Sequence, residues 1–467
     1  MARGSWADRL LDRVTPQAIF AVIALAAGLV LCFLTPPYQT ADENAHFYRS
    51  YQVSEGGWKG EVVSVWTGGR LPAGVTRLLD REEASRLIGK SQEKTSRELI
   101  LRGLDEPWGE RIDVTFPNSA IYPPTNYFPQ AAGIAAARAL GGGPLVSMYA
   151  GRVTNLLAYV AVTWAAIRLM PFAPMLLAAV ALLPISLFQA ATLTADTPLN
   201  ALSFLFLALS LRAAAGQDGR IDRKPLAARI VIGAMLAAGK SVYAPLLAIG
   251  LVRALANRSE RTRAVLLAEA AVILVGLAAT VAWYATNTEH MISVRSSIDE
   301  IDSKAQLAFV LGAPLTYLTI FFDTIAQQTH IYFLTTVGVL GWLDTLLPPW
   351  VYDSAPWILA LALVTRGRSD GAPPWILRFG LPVLAFGVVF AIFLSLYLSW
   401  TPPYRTVVEG VSGRYFIPLL TPVLLAAVLP AIPGRPLNAL LRLACAAGFT
   451  AMAYGTVVAV IGRYYGA

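Results

Sequence analysis

Apolar residues in this chain gather into runs separated by polar connectors, and many of the runs approach the length a bilayer crossing requires, about 20 residues. The first covers about 16–35. Later ones fall near 145–169, 172–189, 197–212, 227–239, 241–255, 264–285, 351–365, 375–399, 414–430 and 438–461. The pattern predicts an all-α polytopic membrane protein with about eleven transmembrane helices and a large first extracytoplasmic loop. The stretch 306–345 extends the range to thirteen, because it reads either as two further spans or as an interfacial helix pair. Asp323, Gln327, Gln328 and His330 in its middle favour the interface. The runs on either side of Gly239-Lys240 are both short, which predicts a hairpin tip below the membrane surface. The chain thus divides into a cytoplasmic N-terminus and first span (1–35), an extracytoplasmic loop with interfacial helices (36–143), a block of spans (144–305), an interfacial or re-entrant segment (306–350) and C-terminal spans (351–467). No internal repeat or low-complexity tract is apparent.

Composition narrows the class. Of 467 residues, 56% are hydrophobic and 14% charged, and the mean hydropathy is +0.56. Soluble domains carry about 25% charged residues, so an ordinary cytosolic enzyme, a disordered chain and a nucleic-acid-binding module are excluded. The net charge of +8 is carried largely by connectors at 212–229, 253–263, 365–371 and 433–442. Placing these and the basic N-terminus in the cytoplasm puts the 36–143 loop and the C-terminus outside, which requires an odd number of spans. Cys32 and Cys445 both lie in apolar runs, so no disulfide framework is expected. The first run lacks a small-residue cleavage site and reads as a retained signal anchor.

Chemistry concentrates where the first span ends, in PPYQTADENAHFYRSYQVSEGG. Pro36-Pro37 stops the helix. Thr40 and Glu43 have the spacing of a capping box, predicting a helix over about 41–53 with Asp42, His46 and Arg49 near one face. If Glu43 folds back to cap Thr40, Asp42 is the freer carboxylate over the outer leaflet. The plainer alternative is that both acids complement the helix dipole. DENAH lacks the first histidine of a zinc-protease HExxH. The aromatic residues Tyr38, Phe47, Tyr48, Tyr51, Tyr122, Tyr127 and Phe128 read as an interfacial belt, with the lining of a sugar or prenyl groove as the alternative.

Together with YPPTNYFPQAAGI (122–134), GRVTNLLAY (151–159), FQAATLTADTPLNAL (188–202), GKSVYAPLL (239–247), GVLGWLDTLLP (338–348) and GRYFIPLL (413–420), this segment resembles a widespread family of bacterial predicted membrane proteins. That family is assigned to the GT-C glycosyltransferase superfamily, and the resemblance covers about 30–430 in order. It implies a polyprenyl-phosphate-linked sugar as donor and an acid just after the first span as general base or metal ligand, here Asp42 with Glu43 beside it. Mg²⁺ or Mn²⁺ is a candidate cofactor. The active site would lie on the extracytoplasmic face of the bacterial cytoplasmic membrane, and the acceptor would be a saccharide, lipid or protein.

Such transfer needs a base, groups that stabilise the departing phosphate, and a site at headgroup depth. Lys240 and Arg414 are the cations local physics explains least, with Arg405 and Tyr243 as further donor-binding candidates. Arg414 reads alternatively as an interfacial arginine beside Tyr415, and Lys240 as a headgroup contact. Asp196 is a candidate second acid, although Asp196 or Thr197 capping a helix with Pro198 in its first turn also accounts for it. His46 and Arg49 are candidates for orienting substrate. Two rival functions remain, a transporter or flippase of lipid-linked saccharides and a non-catalytic partner in envelope polysaccharide assembly.

Overall fold

The computed structural model describes residues 14–63, 65–90, 92–215, 221–256, 262–287, 301–365, 372–403, 405–428 and 435–466. The basic N-terminus, the middle of the first two basic connectors, all but the first residue of the third and the start of the fourth lie outside the described residues.

Among the described residues, five helices are long and apolar enough to cross a membrane: Pro16–Leu34, Pro144–Leu169, Arg263–Asn287, Trp375–Ser399 and Leu437–Tyr464. The pair Ser303–Gly312 and Pro314–Val337 would make a sixth, but it bends by 106°. Pro314 explains the break, because it has no N–H to continue the ladder and disfavours helix at Ala313. The 306–345 stretch is thus a bent helix pair, followed by a short hairpin of β4 (Val339–Leu340) and β5 (Thr345–Leu346). Asp323, Gln327 and His330 lie exposed on the second helix of the pair.

Other apolar runs form shorter or interrupted elements, and proline decides where. The 172–189 run divides into Pro174–Ala181 and Pro184–Ala190, with Pro184 at the second start. Arg223–Gly239 ends at Lys240, and the chain continues as a 3-10 segment, Ser241–Ala248, that contains Pro245 before Ile249–Ala256. Gly413–Phe416, Ile417–Leu424 and Leu425–Ala427 alternate 3-10, α and 3-10 geometry, with Pro422 inside. Nearly every residue of the Pro174–Ala190 region is buried, which fits a sequence apolar on all faces placed at the bundle centre.

The 36–143 loop is not purely helical. It holds a three-stranded antiparallel sheet of β1 (Glu61–Val63), β2 (Trp66–Pro72) and β3 (Arg111–Thr115), with Gly69 opposite Val114. The expected aromatic belt is largely a core instead: Tyr38, Phe47, Tyr48 and Tyr51 are buried with Leu71, Phe116 and Met148 under this sheet. Burying flat rings against one another removes more apolar surface from water than an interfacial ring can. Tyr127 is buried too, whereas Phe128 stays exposed.

The loop is bound to the C-terminal end of the last helix. Thr95 N–H donates to the Tyr464 carbonyl, Lys94 Nζ to those of Gly462 and Arg463, and Arg463 pairs with Asp344 at 2.8 Å. At the opposite end, Arg442 donates to the Val14 carbonyl. The first and last helices therefore run side by side in the same direction.

Candidate functional site

The turn after the first span sets the site. Tyr38 and Asp42 adopt left-handed backbone conformations, φ 62° and 60°. Aspartate tolerates this region; a bulky tyrosine does so at a cost and only where its surroundings hold it. Here Tyr38 is fully buried, its hydroxyl donates to the Val75 carbonyl at 2.9 Å, and Trp342 Nε1 donates to its carbonyl at 2.9 Å. Tyr464 hydroxyl donates to the Gln39 carbonyl, and Ala41 N–H donates to Gly341. The β4–β5 hairpin and the last helix thus clamp the turn that presents Asp42.

The helix here is Glu43–Ser54, with Asp42 as its N-cap and no side-chain cap. The expected capping box is absent: Thr40 Oγ1 has no partner, and Glu43 turns to Arg152. Both carboxylate oxygens accept from the Arg152 guanidinium at 2.8 and 2.6 Å, Leu193 N–H donates to one of them, and neither side chain is exposed. Arg152 also donates to the carbonyls of Cys32, Thr35 and Pro36, the orphan acceptors at the end of the first span. A buried cation that outcompetes a local cap explains the difference, since charge-assisted bidentate bonds are the stronger. Glu43 therefore does not stand beside Asp42 as a second free acid.

Arg49 is likewise buried, donating to Gln52 and to the carbonyls of Gly57, Trp58 and Tyr122, and burial lowers it to about 10. It shapes the loop around the site. His46 is buried with Nδ1 2.9 Å from the Tyr127 hydroxyl. Burial drives its imidazole down to about 4, against the pull of Asp42 and Asp196, so it is neutral at pH 7. Asp42 itself is half-buried, and Asn118 Nδ2 donates to its Oδ1 at 3.3 Å.

Asp196, Lys240 and Arg414 come together across three elements. Lys240 Nζ pairs directly with Asp196 Oδ1, Arg414 Nε lies 3.9 Å from Oδ2, and Gln189 Nε2 donates to Oδ2 at 3.2 Å. Asp196 does not cap its helix; Thr197 Oγ1 donates back to Gln189. Two glycines permit the convergence. A Cβ at Gly239 would lie 2.8 Å from the Asn126 side chain, and one at Gly413 would lie 2.3 Å from the Tyr332 carbonyl. Lys240 sits 4.6 Å from the Tyr415 ring centre and 5.9 Å from that of Tyr122; Tyr243 hydroxyl donates to the Tyr415 carbonyl. These tyrosines, with Tyr284, Ser395 and Leu396, line a pocket of about 170 Å³. His46 lies within electrostatic reach of Asp42, Asp196, Lys240 and Arg414, and Asp42 within that of Arg414. Two buried polar atoms beside Asp196 make no hydrogen bond, Arg414 Nε and Gln189 Oε1.

Arg405 is not in this cluster's contacts; it is exposed and 3.5 Å from Glu409. Nor do the acids fit a divalent cation. Glu43 is saturated by Arg152, Asp196 is shared by two cations, and among the described residues no group of three His, Cys, Asp or Glu is placed to hold a metal.

Sequence reasoning did not single out Arg152 or Gln189. For Arg152 a signal existed: an arginine within an apolar run demands a buried partner. For Gln189 there was none, because its role depends on a contact across the break at 191–195.

No curated protein and no solved structure matches the chain. The family described as predicted membrane protein (DUF2142) matches residues 25–423, and the chain belongs to it.

Proposed function

We propose that the protein is a membrane glycosyltransferase of the GT-C type, moving a sugar from a polyprenyl-phosphate donor to an acceptor on the extracytoplasmic face. In this reading the eleven apolar elements are eleven crossings of the bacterial cytoplasmic membrane. The observation that carries the proposal is the Asp196 carboxylate shared by Lys240 and Arg414. Two cations against one acid leave a surplus positive charge beside a tyrosine-lined pocket, which suits an anionic phosphate at headgroup depth. Arg414 Nε, which makes no hydrogen bond, supplies a donor for its oxygen.

Asp42 takes the proton of the acceptor hydroxyl as that oxygen attacks the anomeric carbon. The bond from this carbon to the phosphate oxygen breaks, and the electron pair leaves on the phosphate, held by Arg414 and Lys240. With one free carboxylate, the configuration inverts, by analogy with glycoside hydrolysis. His46 stays neutral and packs beside Tyr122 and Tyr127.

The test is donor turnover by purified protein in detergent, with a polyprenyl-phosphate sugar and an extract of envelope acceptors. Asp42→Asn should fold normally and lose about 10²–10⁴-fold in rate; full turnover by this variant overturns the assignment. One observation favours a second reading, transport of a lipid-linked saccharide. The interrupted segments Ser241–Ala248 and Gly413–Ala427 meet through Tyr243 and Tyr415, as broken helices do at transporter sites. Turnover in detergent, with no second compartment, decides for the enzyme; donor binding without turnover decides for the transporter.

A further inference from the structure

A second concavity lies apart from the Lys240 cluster. It is a groove of about 880 Å³ bounded by the outer end of the first span, the Phe128–Ala139 helix, the start of the Pro144–Leu169 helix and the short Arg97–Leu101 helix. Its walls are apolar, with Phe33, Leu101, Leu104, Leu140 and Val146 among them, and Arg97 is the one charged residue that lines it. Arg97 is exposed.

Depth makes this groove unusual. The first span has 19 residues, which at about 1.5 Å per residue matches a hydrocarbon core of about 30 Å. Phe33 therefore marks its outer edge. Arg152 holds the carbonyls of Cys32, Thr35 and Pro36, so it lies level with that edge. Val146, on the same helix, stands about 9 Å further out, and Leu101, Leu104 and Leu140 belong to the outer loop. Leu140 is 88% exposed and Leu104 50%. Apolar surface of this extent at headgroup depth is unfavourable unless something apolar covers it. Leu29, Val30 and Phe33, all exposed on the first span, form a continuous apolar track from the bilayer into the groove.

We propose that the groove holds one chain of an anionic glycerophospholipid drawn partly out of the outer leaflet, with its phosphate at Arg97. Continuity with the lipid-facing track argues for a lipid, and the single lining cation argues for an anionic headgroup. The groove and the Lys240 pocket share no lining residue, so this proposal does not rest on the transferase reading.

The full chain in nanodiscs of neutral carrier lipid tests it, with trace phosphatidylglycerol or diacylglycerol bearing a photoreactive chain. Phosphatidylglycerol should label peptides containing Leu101–Leu104 and Val146–Tyr149. Ala136→Trp, at an exposed groove position, should cut this labelling about fivefold or more while leaving that of the Trp375–Ser399 helix unchanged. Arg97→Glu should bring phosphatidylglycerol down to the level of diacylglycerol, and as an exposed substitution it gives a result even if Ala136→Trp does not fold. The proposal is overturned by labelling confined to the first span below Phe33, by outer-loop labelling indifferent to both substitutions, or by equal labelling with the two lipids. Preferential labelling by a photoreactive farnesyl phosphate would overturn the choice of occupant.

Discussion

At the scale of single residues, burial decides which ionisable groups are chemically available. Asp42 keeps partial exposure and one amide partner, whereas His46 is enclosed between Tyr122 and Tyr127. A histidine held near 4 when folded binds its proton at about 6.5 when unfolded. The unfolded state then binds more protons between these limits, so stability is complete above about pH 6.5 and falls toward pH 4. The slope from this one group approaches about 1.4 kcal/mol per pH unit. Thermal unfolding followed from pH 7.5 to 4.5 should show this decline, and His46→Gln should make it shallower. An identical slope in both proteins would remove His46 as its source.

Between elements, a few polar contacts do work that hydropathy cannot express. Glu43 and Arg152 join the Glu43–Ser54 helix, the end of the first span and the Pro144–Leu169 helix in one buried pair. Removing one partner strands the other charge, which costs about 3–5 kcal/mol. Glu43→Gln should lower the unfolding temperature accordingly, and adding Arg152→Leu should not restore it, because the carbonyls of Cys32, Thr35 and Pro36 then lose their donor. If the single variant unfolds like the wild type, the pair is not needed to hold these elements together. The pairing was only half legible in the sequence. Asp42 and Glu43 stood out as an acidic pair, but their neighbours within four residues suggested a cap, and the true partner lies 109 residues away. The Lys240 position was easier to find, because an abrupt end between two short apolar runs exposes it in one dimension.

Across the whole molecule, the same end of the bundle carries Asp42, Asp196, Lys240, Arg414 and the last turn of the C-terminal helix. In the proposed topology that end faces the extracytoplasmic side, as the positive-inside pattern expects. A cysteine at Lys59 should react with a membrane-impermeant maleimide on intact cells, and one at Lys224 only after lysis; both native residues are exposed. Cys32 and Cys445 are buried, so background labelling should be low. The reverse pattern would invert the topology and remove the extracytoplasmic site.

The sequence by itself determined that this chain is a helical membrane protein, where most of its apolar elements lie, and which acidic turn follows the first of them. Those properties are local: they depend on the length of apolar runs and on where proline, glycine and charge interrupt them. Only the tertiary structure decided that Glu43 belongs to Arg152, that the loop aromatics form a core under a small sheet, and that Asp196 is shared by Lys240 and Arg414. Each of these depends on which side chain wins a partner from a distant segment, and that competition is settled by burial and geometry in three dimensions, not by neighbours along the chain.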